Sequence, residues 1–139
     1  NLEVQRDFDL VSILIGVNNQ YQGKLITEYE EELRQIFRRA INHSKTLEKG
    51  VFAVSIPDYG YTPFGSSNQE KISAEIDRFN QVFKRVADEF GVVFYNITPI
   101  SRDSSNPELV ASDGLHPSAL QYQLWVESFV SQVAEKLPN

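Results

Sequence analysis

The residues that this sequence lacks exclude several classes of function. There is no cysteine, so disulfides and thiolate metal sites are excluded. Positive charge is scarce, with 13 Lys and Arg against 19 Asp and Glu and a net charge of −6, which argues against nucleic acid or an anionic membrane surface as a partner. No apolar run approaches the ~20 residues of a membrane-spanning helix, and no signal peptide pattern opens the chain.

Methionine is absent as well, although translation starts with it. Because the sequence begins at Asn1 and contains no Met, we expect that a segment before Asn1 has been removed. The 139 residues suit one domain of ordinary size, and composition is close to that of an average globular protein. We therefore predict a single domain over residues 1–139.

Three short apolar runs, at residues 10–16, 51–56 and 92–97, are rich in β-branched and aromatic residues. Because they are nearly continuous rather than alternating, they predict strands buried on both faces of a parallel sheet. Two helical patterns separate these strands and a third follows a long loop. Right-handed crossovers then give an open α/β sheet with helices on its faces.

A Ser or Thr followed three residues later by Glu or Gln marks the expected start of each helix. The three capping residues are Thr27, Ser67 and Ser118. The apolar stripe that we expect the last helix to bury consists of Tyr122, Val126, Phe129 and Val133.

The carboxyl ends of parallel strands are where open α/β sheets bind ligands. Asp113 and His116 lie before the last helix and are separated by a flexible glycine, so the carboxylate can orient the imidazole and leave its other nitrogen free as a base. The alternative is a turn cap beside a surface histidine. Asn18 follows the first strand and can donate to an oxyanion, or simply form a turn. His43, in polar helical turns, is given no catalytic role.

The segments Gly16-Val17-Asn18-Asn19 and Asp113-Gly114-Leu115-His116-Pro117 together resemble the G-x-N-D and D-x-x-H-P blocks of the SGNH hydrolases, also called GDSL esterases and lipases. The resemblance covers nearly the whole chain, because the order of elements matches as well. It implies a three-layer αβα sandwich with a parallel, flavodoxin-like sheet. It also implies that Asn18 is an oxyanion donor, that His116 is the general base and that Asp113 orients it.

Two positions depart from the family pattern. Asn19 stands where the family usually has Asp, and the family's G-D-S block with its nucleophilic serine is missing. Ser55, Ser66, Ser67 and Ser112 do not follow the tight strand-to-helix turn that exposes a nucleophile. The sequence therefore corresponds to the C-terminal portion of such a hydrolase. We expect the N-terminal strands and the serine to belong to a missing N-terminal segment of the same protein.

The resemblance implies hydrolysis of a small acyl or acetyl ester, such as an acylated sugar or a lipid, with no cofactor and no metal. The residues expected to bind this substrate lie in the loops after the first two strands and are Asn19, Tyr21, Tyr59 and Tyr61. The loop at residues 57–65 should border the acyl or alcohol pocket. Its aromatic residues, which include Phe64, either contact the acyl group or a sugar, or pack against the core. Because many relatives are exported, a periplasmic or secreted location is favoured.

Three other classes stay open. One is a metal-dependent hydrolase that uses Asp58, Asp113 and His116, although two histidines are few for a transition-metal site. A second is a flavodoxin-like module that binds a phosphorylated ligand, which predicts a Gly-rich phosphate loop that the sequence does not contain. The third is a catalytically dead remnant that serves as a binding or structural domain.

Overall fold

A computed structural model describes residues 6–137. Three parallel strands, β1 (Val11–Ile13), β2 (Val51–Val54) and β3 (Val93–Tyr95), form one sheet in the order β1-β2-β3. Val11 pairs with Val51, and Phe52 pairs with Val93. The predicted parallel α/β sheet is confirmed, although each strand is shorter than its apolar run.

In the described part of the chain, five α-helices connect and cover the strands: α1 (Val17–Tyr21), α2 (Ile26–His43), α3 (Gln69–Glu89), α4 (Thr98–Ser101) and α5 (Ala119–Ala134). Short 3₁₀ turns lie at Leu47–Gly50, Tyr59–Tyr61, Ser66–Asn68 and Pro107–Leu109. The sequence pattern identified α2, α3 and α5 but not α1 and α4. These two helices have five and four residues, which is too short for a helical repeat to be visible.

Of the three predicted helix caps, Ser118 is confirmed, since its Oγ accepts the backbone N–H of Gln121 at 3.2 Å. The expectations for Thr27 and Ser67 are wrong. Helix α2 begins after Leu25 and α3 begins after Asn68, and neither cap residue makes a side-chain bond to the helix. Ser67 instead belongs to the 3₁₀ turn that precedes α3.

The first face of the sheet is covered by α2 and α3. Both helices bury an apolar stripe of large side chains against Val51 and Ala53. The buried residues of the two helices are Tyr29, Leu33, Phe37, Ala40, Ile72, Ile76, Phe79, Val82, Phe83, Val86 and Ala87. Aromatic contacts join the two helices, such as that between Phe37 of α2 and Phe83 of α3, whose ring centroids are 6.0 Å apart.

The second face is covered by α5, which packs Trp125, Phe129 and Val133 against Phe52 and other strand residues. The expected burial of Tyr122 and Val126 is wrong, because both side chains are half-exposed and Trp125 is buried instead. Helix α5 is apolar on more than one face, so the helical repeat alone does not identify the face that meets the sheet. Within residues 6–137, no helix is long and apolar enough to cross a membrane.

Candidate active site

Gly16 sets the path of the chain from β1 into α1. It has a φ of 125°, and a Cβ there would lie 2.5 Å from the Tyr29 hydroxyl oxygen, so only glycine fits this position. The same hydroxyl donates to the carbonyl of Ile15 at 3.1 Å. Helix α1 therefore starts after a three-residue connection from β1 and places Asn18 at the carboxyl edge of the sheet.

The ends of β2 and β3 are joined by buried polar contacts. Ser55 is buried, and its Oγ accepts the backbone N–H of Ile97 at 2.8 Å. Asn80 of α3 accepts the N–H of Ile56 at 2.8 Å and donates to the Ile56 carbonyl at 3.1 Å. These bonds satisfy the backbone where the strands stop pairing, and they fix the directions of the loops that follow.

The loop between α4 and α5 is closed by backbone bonds at its base. The N–H of Ala111 donates to the carbonyl of His116 at 2.8 Å, and the N–H of Ser118 donates to that of Leu109 at 2.9 Å. Gly114, with a φ of 74°, makes the reversal between these two arms. This narrow loop turns Asp113 back toward His116.

Asp113 and His116 form a hydrogen-bonded pair, with Oδ2 2.6 Å from the imidazole Nδ1. The other carboxylate oxygen accepts the backbone N–H of Leu115 at 2.9 Å and that of His116 at 3.0 Å. The backbone N–H groups of His116 and Leu115, followed by the imidazole, lower the pKa of Asp113 to about 2. The carboxylate is therefore ionised at neutral pH and orients the ring, leaving Nε2 to act as a base.

A cavity of about 440 Å³ lies at this edge of the sheet. Both Asn18 and His116 line it, as do Tyr21 and Tyr59. The histidine side chain is 69% exposed, so a substrate can reach it. The structure therefore brings the predicted base, its orienting carboxylate and the predicted oxyanion donor to one accessible place.

Two other predicted substrate contacts are not brought into the cavity. Asn19 donates from Nδ2 to Glu32 of α2 at 2.6 Å, and it does not line the cavity. Tyr61 lies in the 3₁₀ turn after β2 but is also not among the lining residues. The bond to Glu32 explains why Asn19 is directed toward α2, whereas Asn18 lines the cavity.

Asp58 lines the cavity but is held by other groups. It is buried, its Oδ1 accepts the N–H of Gly60 at 2.8 Å, and its Oδ2 accepts the Arg102 guanidinium at 2.9 Å. Arg102 also binds Asp77 at 2.6 Å. Within the part of the chain that the structure describes, no group of three potential ligands is placed to hold a metal ion. The contacts of Asp58 thus fit a role in shaping the loop after β2.

The serine hydroxyls near the site form hydrogen bonds with the backbone. Ser101 lines the cavity, but its Oγ donates to the Thr98 carbonyl at 2.6 Å and accepts the N–H of Asp58 at 2.8 Å. Ser55 is buried in the polar contacts between strands. Ser66 donates to the Pro63 carbonyl at 3.1 Å.

Sequence reasoning did not identify several apolar residues that line the cavity. They are Leu14, Val17, Leu115, Tyr122 and Trp125. Leu14, Tyr122 and Trp125 belong to a strand and a helix that were expected to supply core, whereas Val17 and Leu115 lie beside the predicted site residues Asn18 and His116. Phe64 was expected in the loop that borders the substrate pocket, and it lines the cavity.

Comparison with known proteins assigns the family. Residues 1–124 match the GDSL-like lipase/acylhydrolase family, and the chain belongs to it. The crystal structure of an alpha/beta hydrolase enzyme from the metagenome of Lake Arreo, Spain, is similar in fold, with a TM-score of 0.68 and 21% identity over 91% of this chain and 60% of that one.

A curated relative is an NADH-quinone oxidoreductase subunit from Cytophaga hutchinsonii. It is 30% identical over 142 residues, which cover 92% of this chain and 34% of the relative. The chain thus spans about a third of that relative and 60% of the solved hydrolase. The matched region is a minor part of the oxidoreductase subunit.

Proposed function

We propose that this chain is the greater part of a serine-type ester hydrolase that cleaves a small acyl or acetyl ester. The observation that carries the proposal is the bond between Asp113 and His116, which faces the same cavity as Asn18. Membership of the acylhydrolase family and the hydrolase fold support it. The cavity edge of a parallel sheet is also where this class of fold binds small molecules.

In this mechanism a serine hydroxyl attacks the ester carbonyl while Nε2 of His116 takes its proton. Asp113 stabilises the imidazolium that forms, and the Asn18 amide donates to the oxyanion. The imidazolium then gives the proton to the leaving alcohol, and water repeats the sequence to release the acid. A side-chain oxyanion donor of this kind typically contributes about 10²–10³ in rate.

We further propose that the serine belongs to a segment that precedes Asn1 in the same protein. Three apolar side chains along α5, Tyr122, Val126 and Val130, are half-exposed in a row of i, i+4 neighbours. Leu14 and Ile15, directly after β1, are exposed to a similar extent. Such a patch on a domain of this size favours a covering element.

The position of β1 supports the same arrangement. It pairs with β2 on one side, and no other described strand pairs with its second side. An apolar groove beside it is lined by Phe8, Val11 and Ile36, among others. A strand and helix added here would pair with β1, cover α5 and end beside the cavity, where the nucleophile is needed.

The test uses the full-length protein and hydrolysis of p-nitrophenyl acetate. We expect His116→Ala to lower kcat by about 10²–10⁴, which is the usual contribution of a general base. His43→Ala is the matched histidine control and should retain far more turnover than His116→Ala, because His43 does not line the cavity that contains Asn18 and His116. Unchanged turnover in His116→Ala would refute the assignment.

The other candidate is a catalytically dead member of the family that serves as a binding or structural domain. It predicts that the full-length protein hydrolyses no ester and that a fluorophosphonate probe labels no serine. The two candidates therefore differ in one assay on the unaltered protein.

A further inference from the structure

Three aromatic rings gather at one side of the cavity. The ring centroids of Tyr21 and Tyr59 are 6.2 Å apart, those of Tyr21 and Phe64 are 6.2 Å apart, and those of Tyr59 and Phe64 are 6.4 Å apart. All three residues line the cavity that also contains Asn18 and His116. We call these three residues the aromatic wall.

The backbone ties this wall to the proposed catalytic groups. Tyr21 ends the same helix, α1, that carries Asn18. The N–H of Phe64 donates to the carbonyl of Gly114 at 3.0 Å, directly beside Asp113. Gly65 permits this approach, since a Cβ there would collide with the Tyr59 carbonyl. The wall therefore holds a fixed position relative to the proposed oxyanion donor and base.

Two of the rings face solvent rather than the core. Tyr21 is 61% exposed and Phe64 is 52% exposed. Large aromatic side chains that cluster at an exposed cavity leave apolar surface in water, and they gain by covering it with another apolar group.

Most of the cavity surface is apolar, which favours an apolar partner for the wall. The remaining lining is largely apolar and includes Leu14, Val17, Pro57, Leu115 and Pro117. The nearby charges already have partners, because Asp58 binds Arg102 and Glu75 accepts from Gln20 at 2.7 Å. A sugar needs polar partners for its hydroxyls as well as a stacking surface. Tilted rings instead suit edge-to-face packing against a further aromatic ring.

We propose that Tyr21, Tyr59 and Phe64 bind an aromatic ring in the acyl or alcohol part of the substrate, with Phe64 as a specificity-determining residue. This inference rests on the proposed ester hydrolase function. It assigns to the wall a role in substrate selection, separate from the proton transfer at His116.

The test compares benzyl acetate and methyl benzoate with methyl acetate, using the full-length protein. For at least one aromatic ester, we expect Phe64→Ala to lower kcat/KM by about three- to tenfold through KM, because an aromatic contact contributes on this scale. The loss should be smaller for methyl acetate, which has no ring to contact the wall. Tyr21→Phe keeps the ring and should keep the preference. Leu25→Ala, at a 71% exposed residue outside the cavity, is the control.

Equal losses for aromatic and methyl esters in Phe64→Ala would overturn the inference, and so would a wild-type protein with no preference for aromatic esters. If the wild type hydrolyses no ester at all, the proposed function fails and binding tests the wall separately. Acetophenone should then bind more tightly than acetone in ligand-observed NMR, and Phe64→Ala should remove the difference. Equal binding of the two ketones would overturn the inference.

Discussion

The two faces of the sheet are covered to different extents. On the first face, α2 and α3 bury a continuous set of large apolar side chains against the strands. On the second face, α5 alone contributes Trp125, Phe129 and Val133, while Tyr122, Val126 and Val130 stay half-exposed. The first face has the burial expected of a finished core, and the second has apolar surface left over.

The two faces also differ in how they hold the residues of the proposed site. Tyr29 and Asn80, from α2 and α3, position Gly16 and the end of β2. The pair of Asp113 and His116 lies beside α5 and is exposed. The scaffold of the proposed site is therefore buried on one side and exposed on the other.

Truncation of a side chain on the first face should have the largest effect. Phe83 is fully buried between α2 and the sheet. Phe83→Ala is expected to lower the free energy of unfolding by about 3–5 kcal/mol, through lost burial and a residual cavity. Urea denaturation of the full-length protein measures it. A loss below about 1 kcal/mol would mean that this face is not the finished core described above.

The second largest loss of stability should come from a substitution at Gly16, which lies against Tyr29. Gly16→Ala forces a positive φ on alanine and a collision with the hydroxyl, so we expect a loss of about 2–3 kcal/mol and lower turnover as Asn18 is displaced. Gly23→Ala is the matched control, because its φ is 68° and no atom lies within 4 Å of the added Cβ. It should cost only about 1 kcal/mol. Equal losses in the two variants would show that the collision does not matter.

On the second face, truncation of Val126 should lower the free energy of unfolding more than is usual for a half-exposed side chain. Val126→Ala in the full-length protein should lower the free energy of unfolding by about 1.5 kcal/mol, which is the burial of two methylene-sized groups under the proposed segment. Leu25→Ala, also at an exposed apolar residue, should change it by less than about 0.5 kcal/mol. If urea denaturation shows that Val126→Ala changes the free energy of unfolding as little as Leu25→Ala does, α5 has no covering element.

The smallest effect concerns the acid side of the stability curve. Because backbone N–H groups lower the pKa of Asp113 to about 2, its ionised form stabilises the folded protein above its ordinary pKa near 3.8. That contribution is lost as the pH falls through about 2. The stability difference between wild type and Asp113→Asn should therefore shrink between about pH 4 and 2. A difference in urea midpoints that stays constant over that range would contradict the assignment.

The sequence predicted the order of strands and long helices, because each long element has a clear period and a buried stripe. It predicted the bond between Asp113 and His116, since three residues across a glycine bring the two side chains within reach. Their catalytic roles, and that of Asn18, stay predictions. It did not predict which face of α5 is buried, because Tyr122 and Trp125 are both apolar and the choice depends on packing with the sheet. Phe64 was expected beside the pocket, but its bond to Gly114 was not, because that bond depends on the packing of two loops that are distant in the sequence.

The central claim is that residues 1–139 supply the base, its orienting acid and one oxyanion donor, while a preceding segment supplies the nucleophile. The most direct measurement is mass spectrometry of the full-length protein after reaction with a fluorophosphonate probe. We predict one labelled serine, located before Asn1, and loss of that label in His116→Ala. A labelled serine within residues 1–139, or a label that survives in His116→Ala, would contradict the claim.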